Sequence, residues 1–570
     1  MAPKATPAKP AAAMGAKSQE VEEARPTVGD VDALARQSLK DSSEVVQPRT
    51  SVTSVHGRGS RRGSQTILAN EEAENNGPVL GEPEDERKDY EAHLQMAAML
   101  TSEFMGTFFL AFVVGVSTQS ASNPLAAVAI GLTLGIQIYC YGSVSGGMLN
   151  PAVTFAVLLS GRKKINFKTS CFCIGIQFLG GMLGGLVALG TTGKSFCFDW
   201  GANLNGSRWT SFLLEIVYTG ALCNTVLASG TSFDVPNHYF GLAIGLTVTA
   251  SAYACNSYDQ GSFNPAVTWG INVANWIQQD ASCGAEQVFA FLTIPFLGGA
   301  LAALIFMGTR SAEYAPDATG HDPAVPPKLR EKLLAEFVGT FYLVFTVGVA
   351  VTGNSGFAAV AIGVMLGVNI YTFASVSGAC LNPAVTLAVF LSGRGKMSPR
   401  DAGLYMGVEF LAGIIGAFMA YAGTARTFYF DHKLTPAGGG GSSCVLEAFC
   451  TMALCMAVLV TGTSKDAPNE YYGFAIGLTV TAMAITCGDF NQGSLNPAVT
   501  FGINLANYAN SDTGNPSGGG FLLFLCMPYV GACLAAVTFM VTRFQEYRDS
   551  KGRLNIFGAS RESVKELETE

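Results

Sequence analysis

The chain writes the same short helix start four times. "LNPAVT" begins at Leu149, "FNPAVT" at Phe263, and "LNPAVT" again at Leu381 and Leu495. The first apolar stretch runs from Asn150 and stops near Ser160, at a glycine followed by Arg162, Lys163 and Lys164. About ten helical residues span about 15 Å, against about 30 Å for the core of a bilayer. Such a segment reaches the middle of a membrane and no further. Asn-Pro has a plain local meaning: Asn caps free backbone N–H groups and Pro suits the first helical position. In lipid the demand is stronger, because non-helical backbone at mid-depth survives only inside protein or along a water-filled cavity.

The rest of the chain says that the solvent is lipid. Hydrophobic residues make up 49% and charged ones 13%. Between about Leu94 and Thr542, apolar runs such as "TSEFMGTFFLAFVVGVSTQS" and "FLLFLCMPYVGACLAAVTFMVT" read as membrane spans. Residues 1–93, rich in Ala, Pro, Ser, Glu and Lys, show no apolar periodicity and read as a disordered cytosolic tail. In it, "GRGSRRGSQT" places two arginines ahead of Ser64 at the spacing of basic-directed kinases, which makes Ser64 a candidate phosphosite. No cleaved signal peptide is legible, so the first span is expected to act as an uncleaved anchor. The net charge of −8 comes mostly from the tails and gives no reason to expect nucleic acid. Most cysteines (Cys140, Cys171, Cys173, Cys223, Cys455, Cys526) sit inside apolar runs and read as packing residues, with neither disulfide nor metal spacing. His56, His93, His238, His321 and His432 form no ligand or nucleophile cluster, so an enzyme is not expected, nor a cofactor.

Internal repetition sets the architecture. "AIGLT" starts at Ala129, Ala243 and Ala475, and "AIGVM" at Ala361. Glu-x-x-x-Thr recurs at Glu103, Glu215, Glu336 and Glu447. A spacing of 114 residues separates Asn150 from Asn264 and Asn382 from Asn496, and 232 separates Asn150 from Asn382. The chain is a duplication of a duplication. Spans are expected near 96–118, 124–143, 170–191, 209–230, 238–256 and 286–308, then near 333–353, 357–375, 401–423, 443–463, 470–487 and 519–541. Three spans between Asn150 and Asn264 bring those short helices in from opposite faces, an inverted repeat. Six between Asn150 and Asn382 make the halves parallel copies. The expected organisation is a tail over 1–93, units over 94–309 and 333–543, a proline-rich linker over 310–332 and a tail over 544–570. Arg162, Lys163, Lys164, Lys168, Arg310, Lys328, Arg330, Lys332, Arg394, Lys396, Arg400, Arg543, Arg548 and Lys551 share one side if both termini are cytosolic, while "STQSASNP" and "TGNSG" carry no cation. Lys194, Arg208, Arg426 and Lys433 are exceptions in long outer loops.

Paired short helices would bring Asn150 and Asn264, and likewise Asn382 and Asn496, together near the bilayer centre. Each helix start carries roughly half a positive charge. Two amide donors in a positive field can hold a water or hydroxyl oxygen and repel cations, hydronium included. A carboxylate inside a span is costly and is a functional candidate by default, which singles out Glu103, Glu215, Glu336 and Glu447.

"SGGMLNPAVT" and "DQGSFNPAVT", with the Glu-x-x-x-Thr elements, resemble the aquaporin or major intrinsic protein family over about residues 95–545, taken twice. The resemblance implies an all-α membrane protein, a tandem aquaporin-like fold of 12 transmembrane helices and 4 re-entrant half-helices. It implies pore centres at Asn150-Pro151-Ala152 with Asn264-Pro265-Ala266, and at Asn382-Pro383-Ala384 with Asn496-Pro497-Ala498. The glutamates would then accept hydrogen bonds from the loops leading into the half-helices. A dimer of the chain would rebuild a four-pore ring.

In most of that family an arginine follows the second Asn-Pro-Ala, and here Val267 and Val499 stand there. Matching the other narrow-point positions gives Ile130, Ala252 and Gly261 in the first unit and Ile362, Ala484 and Gly493 in the second. Both filters are apolar and mostly small. The expected function is passage of water and small neutral solutes of the glycerol, urea, ammonia and hydrogen peroxide class, through two pores per chain. The competing reading is a poorly conducting membrane scaffold acting through its N-terminal tail, since wide apolar constrictions can also stay dry. Plasma and vacuolar membranes are not distinguishable.

Overall fold

Each apolar run becomes a helix with its start fixed by local chemistry. The structure, a computed structural model, describes residues 84–119, 123–198, 200, 207–278, 284–315, 326–434, 439–465, 467, 469–510 and 514–548. Ser64 and the tail over 1–83 lie outside them. The first unit holds α1 (Glu84–Ser117), α2 (Ala126–Ser145), α3 (Pro151–Leu159), α4 (Phe167–Thr192), α5 (Arg208–Thr225), α6 (Phe240–Cys255), α7 (Pro265–Gln278) and α8 (Ala285–Thr309). The second holds α9 (Leu329–Thr352), α10 (Ala358–Ser377), α11 (Pro383–Leu391), α12 (Pro399–Thr424), α13 (Gly440–Ala457), α14 (Tyr472–Asn491), α15 (Pro497–Tyr508) and α16 (Gly518–Thr542). Asn166, Ser207 and Ser398 cap α4, α5 and α12 with their side-chain oxygens.

The fold is all-helical among the described residues. Among the described residues, ten helices are long and apolar enough to cross a membrane; the apolar parts of α6 and α14 are shorter and stand where the remaining two spans were expected. The first helix begins at Glu84, ahead of the expected boundary at 94, because Glu, Arg, Lys and Ala are good enough helix formers to extend an apolar helix outward. The span expected over 209–230 ends in a π turn at Val226–Gly230, and its counterpart ends in one at Val458–Gly462. Cys197 is disulfide-bonded, although the cysteine spacing shows no disulfide pattern.

Two ends of the bundle are fixed by specific contacts. At one end the loops after α3, α5 and α8 meet: Arg162 pairs with Glu313 at 2.6 Å and donates to Thr231 O at 2.9 Å. The second unit repeats this with Arg394, Glu546 at 3.0 Å and Thr463 O at 2.8 Å. At the other end, α7 finishes beside the loop after α4, where Gln278 Oε1 accepts from Ser195 N at 2.6 Å. Thus α3 and α7 enter from opposite ends. Both halves belong to one compact unit, Glu84–Glu570. Their seam is built by α5, α6, α9 and α10: Tyr239 stacks on Tyr371 at 4.4 Å, Tyr253 on Phe357 at 4.6 Å, and Asn224 Nδ2 donates to Tyr342 Oη at 2.9 Å.

Glycine lets the short helices sit close. A Cβ on Gly270 of α7 would lie 1.9 Å from Gly181 O of α4, and one on Gly502 of α15 would lie 2.2 Å from Gly413 O of α12. Neither backbone can yield. Gly270→Ala is therefore expected to destabilise the fold by about 3 kcal/mol or more, read as loss of the monodisperse peak in size-exclusion chromatography. Gly175→Ala, which meets nothing within 4 Å, should leave that peak intact.

Candidate functional site

The four Asn-Pro starts become two clasps. Asn150 Oδ1 accepts from Ala152 N at 2.9 Å, capping α3, while its Nδ2 donates across to Phe263 O at 2.8 Å. Asn264 caps α7 through Ala266 N at 3.0 Å and returns the bond to Leu149 O at 3.0 Å. The second unit repeats the exchange: Asn382 donates to Leu495 O at 2.9 Å and Asn496 to Leu381 O at 3.0 Å. Pro151, Pro265, Pro383 and Pro497 each open their helix, and Ala152, Ala266, Ala384 and Ala498 are fully buried. The two helix starts of each unit therefore point at each other.

The carbonyls reach across because the residue ahead of each Asn is turned into left-handed backbone. Leu149, Phe263, Leu381 and Leu495 have φ of 51°, 52°, 51° and 55°. For side chains of this size that conformation costs about 1–3 kcal/mol each. A buried carboxylate holds every one of them. Glu103 accepts from Met148 N at 3.0 Å and Leu149 N at 2.7 Å, and Glu215 from Ser262 N at 2.7 Å and Phe263 N at 2.9 Å. Glu336 accepts from Cys380 N at 3.0 Å and Leu381 N at 2.7 Å, and Glu447 from Ser494 N at 2.8 Å and Leu495 N at 2.9 Å.

Each clasp lines a cavity. The first, about 460 Å³, is bordered by Asn150 and Asn264 and by Ile130, Ala252, Gly261 and Val267. The second, about 320 Å³, is bordered by Asn382 and Asn496 and by Ile362, Ala484, Gly493 and Val499. Gly261 and Gly493 both take φ of 59°, which turns their backbone into the lining. Phe196 and Phe198 also border the first cavity, and Phe428 and Phe430 the second. Sequence reasoning missed these four. They come from loops, where Asn272 Oδ1 holds Phe198 N at 3.2 Å and Asn504 Oδ1 holds Phe430 N at 2.8 Å. Their one signal was a Phe-x-Phe pair repeated at the 232-residue offset. They add aromatic bulk to the lining of each cavity.

The polar groups behind the forks differ between units. In the first, Gln177 Nε2 donates to Glu103 at 2.7 Å, whereas Asp259 stands beside Glu215. In the second the roles are exchanged: Glu409 stands beside Glu336, whereas Asn491 Nδ2 donates to Glu447 at 3.2 Å. Asp259 and Glu409 are buried, the first facing Ser211 as well as Glu215 and the second facing the Glu336 carboxyl. Carboxyl groups this close repel unless one of them keeps a proton.

Membrane-embedded cavities with helix starts facing each other across them define a channel. The profile of the family described as "Major intrinsic protein" matches residues 91–306 and 325–539. The chain is 31% identical over 245 residues to Aquaporin NIP2-1 of Zea mays, covering 41% of this chain and 79% of that protein. It is 29% identical over 243 residues to Aquaporin AqpM of Methanothermobacter thermautotrophicus, covering 37% of this chain and 96% of that one. The X-ray structure of the aquaglyceroporin from Plasmodium falciparum is similar at 22% identity and a TM-score of 0.33, covering 37% of this chain and 96% of its own. The chain belongs to the major intrinsic protein family, present twice in tandem. It is an integral membrane protein and a passive channel for water and small solutes, not an enzyme.

The exchanged carboxyl pairs can be tested by amide replacement. Asp259→Asn and Glu409→Gln should each raise the melting temperature by a few degrees, because an amide removes the second acid crowding Glu215 or Glu336. Asn491→Asp should lower it. Intrinsic-fluorescence melting of the purified chain checks both.

Proposed function

We propose that the two cavities are two separate pores, each passing water together with small uncharged solutes of the glycerol, urea, ammonia and hydrogen peroxide class. The observation that carries this reading is the reciprocal Asn clasp beneath a mouth bordered by Ile130, Ala252, Gly261 and Val267, or by Ile362, Ala484, Gly493 and Val499. Each clasp amide uses one N–H on the opposite carbonyl and keeps a second for a permeating oxygen. The facing helix starts place partial positive charge on both sides of that oxygen, which excludes cations. With no guanidinium at the mouth, exclusion of ions falls to the centre, and an unpaired ion in an apolar passage costs many kcal/mol. Glu103, Glu215, Glu336 and Glu447 serve as supports for the loops rather than as proton carriers, since their oxygens are occupied by backbone N–H groups. The Lys and Arg distribution supports cytosolic termini, with the units at 94–309 and 333–543 and their linker between.

We also propose that two chains assemble into a ring of four pores. Within one chain the seam buries Val217 (4% exposed) and Val368 (2%), yet their counterparts Phe449 (59%) and Ile136 (56%) are open on the outer helices. The same surfaces that join the halves are thus repeated, unpartnered, at both flanks. Scattering-derived particle mass in detergent should give a dimer of the 570-residue chain; a stable monomer would argue against the ring.

The mouth assignment has its own test. Val267→Arg with Val499→Arg should cut glycerol and urea flux at least tenfold in vesicle swelling while water flux falls far less. Equal loss of both would sink the assignment. Permeability no higher than bare lipid, in the unaltered protein, would favour the scaffold reading.

A further inference from the structure

The two units differ at one further place beside the pore. Cys450 on α13 and Cys487 on α14 bring their Sγ atoms to 3.3 Å. Their counterparts in the first unit are Tyr218 and Cys255, and Tyr218 is spent on the seam, where its ring packs against Phe345 at 5.5 Å. The thiol pair is therefore a feature of the second unit alone. Both cysteines are buried and cluster with Leu495, the left-handed residue that hands its carbonyl to Asn382. A Cβ on Gly493 would lie 2.9 Å from Cys487 Cβ, and Gly493 borders the second cavity. Cys487 thus packs directly against a residue that borders the lumen.

We propose that Cys450 and Cys487 are a redox modification site, closed to a disulfide by hydrogen peroxide that reaches them from the second cavity. A disulfide bond is about 2.05 Å long, so closure asks each sulfur to move well under 1 Å. In the first step one thiol, as thiolate, attacks a peroxide oxygen. An S–O bond forms, the O–O bond breaks, and the leaving hydroxide takes up the proton that the thiol released to water on ionising, departing as water. In the second step the other thiol attacks that sulfenic sulfur, an S–S bond forms, the S–O bond breaks, and a second water leaves. Two thiols are oxidised and one peroxide is reduced to two waters. The inference rests on the proposed pore only in using the lumen as the route of entry.

The test uses the full chain in detergent, where both faces are open and transport across a membrane is not required. Peroxide treatment, alkylation of remaining thiols and tryptic peptide mass spectrometry follow; Lys465 lies between the two cysteines, so they separate on digestion unless bonded. The expected result is a Cys450–Cys487 linked peptide pair and two alkylatable thiols fewer than in protein not treated with peroxide, the link being undone by dithiothreitol. Cys450→Ser and Cys487→Ser should each abolish the linked pair while eluting as the unaltered protein does. The proposal is overturned if peroxide leaves both residues alkylatable, or oxidises either one singly without the link. Vesicle permeability, measured separately, reads the channel assignment: a link without flux would spare this site and sink the pore, and flux without a link the reverse.

Discussion

Two neighbouring backbone N–H groups gripped by one buried carboxylate are the contact on which the rest of the structure depends. Each fork holds a large apolar residue in left-handed backbone just ahead of an Asn, a conformation its side chain disfavours. That twist aims a carbonyl at the Asn of the opposite short helix, and the Asn answers while capping its own helix. Charge-assisted bonds to two donors are strong enough to offset the strain. Remove the carboxylate and the loop loses its reason to hold that shape, the carbonyl turns away, and the two helix starts no longer share an oxygen-sized space. Placing ionisable groups deep within a span is therefore a cost that secures backbone geometry.

Much of this was legible in the sequence. Asn-Pro names a helix start, the short run to Ser160 gives its depth, and the 114- and 232-residue spacings give the inversion and the parallel copy. Other parts carried no local signal. Phe196 and Phe428 sit in loops, where an aromatic residue usually means little until the fold curls the loop over the cavity. Arg162 and Arg394 read as cytosolic markers, but they are also nearly buried ion pairs that tie the ends of α3 and α11 to loops about 150 residues away. The bond at Cys197 was equally invisible. Nor does any periodicity announce that Gln177 and Glu409, or Asp259 and Asn491, face the same kind of partner.

Those exchanges show that the halves are relatives rather than copies. Each unit keeps one fork steadied by an amide and one crowded by a second acid, but at opposite ends of its inverted repeat. The second unit also carries a thiol, Cys450, where the first carries the seam tyrosine Tyr218. The scaffold tolerates such exchanges because the forks and clasps themselves are kept in all four quarters.

The seam has a consequence for the cell that makes this protein. Stacked tyrosines and the Asn224–Tyr342 bond join two unlike cavities within one polypeptide, so every ribosome that finishes the chain delivers one of each. Their ratio is set at translation, not by the abundance of two messages, and neither cavity can reach a membrane without its neighbour.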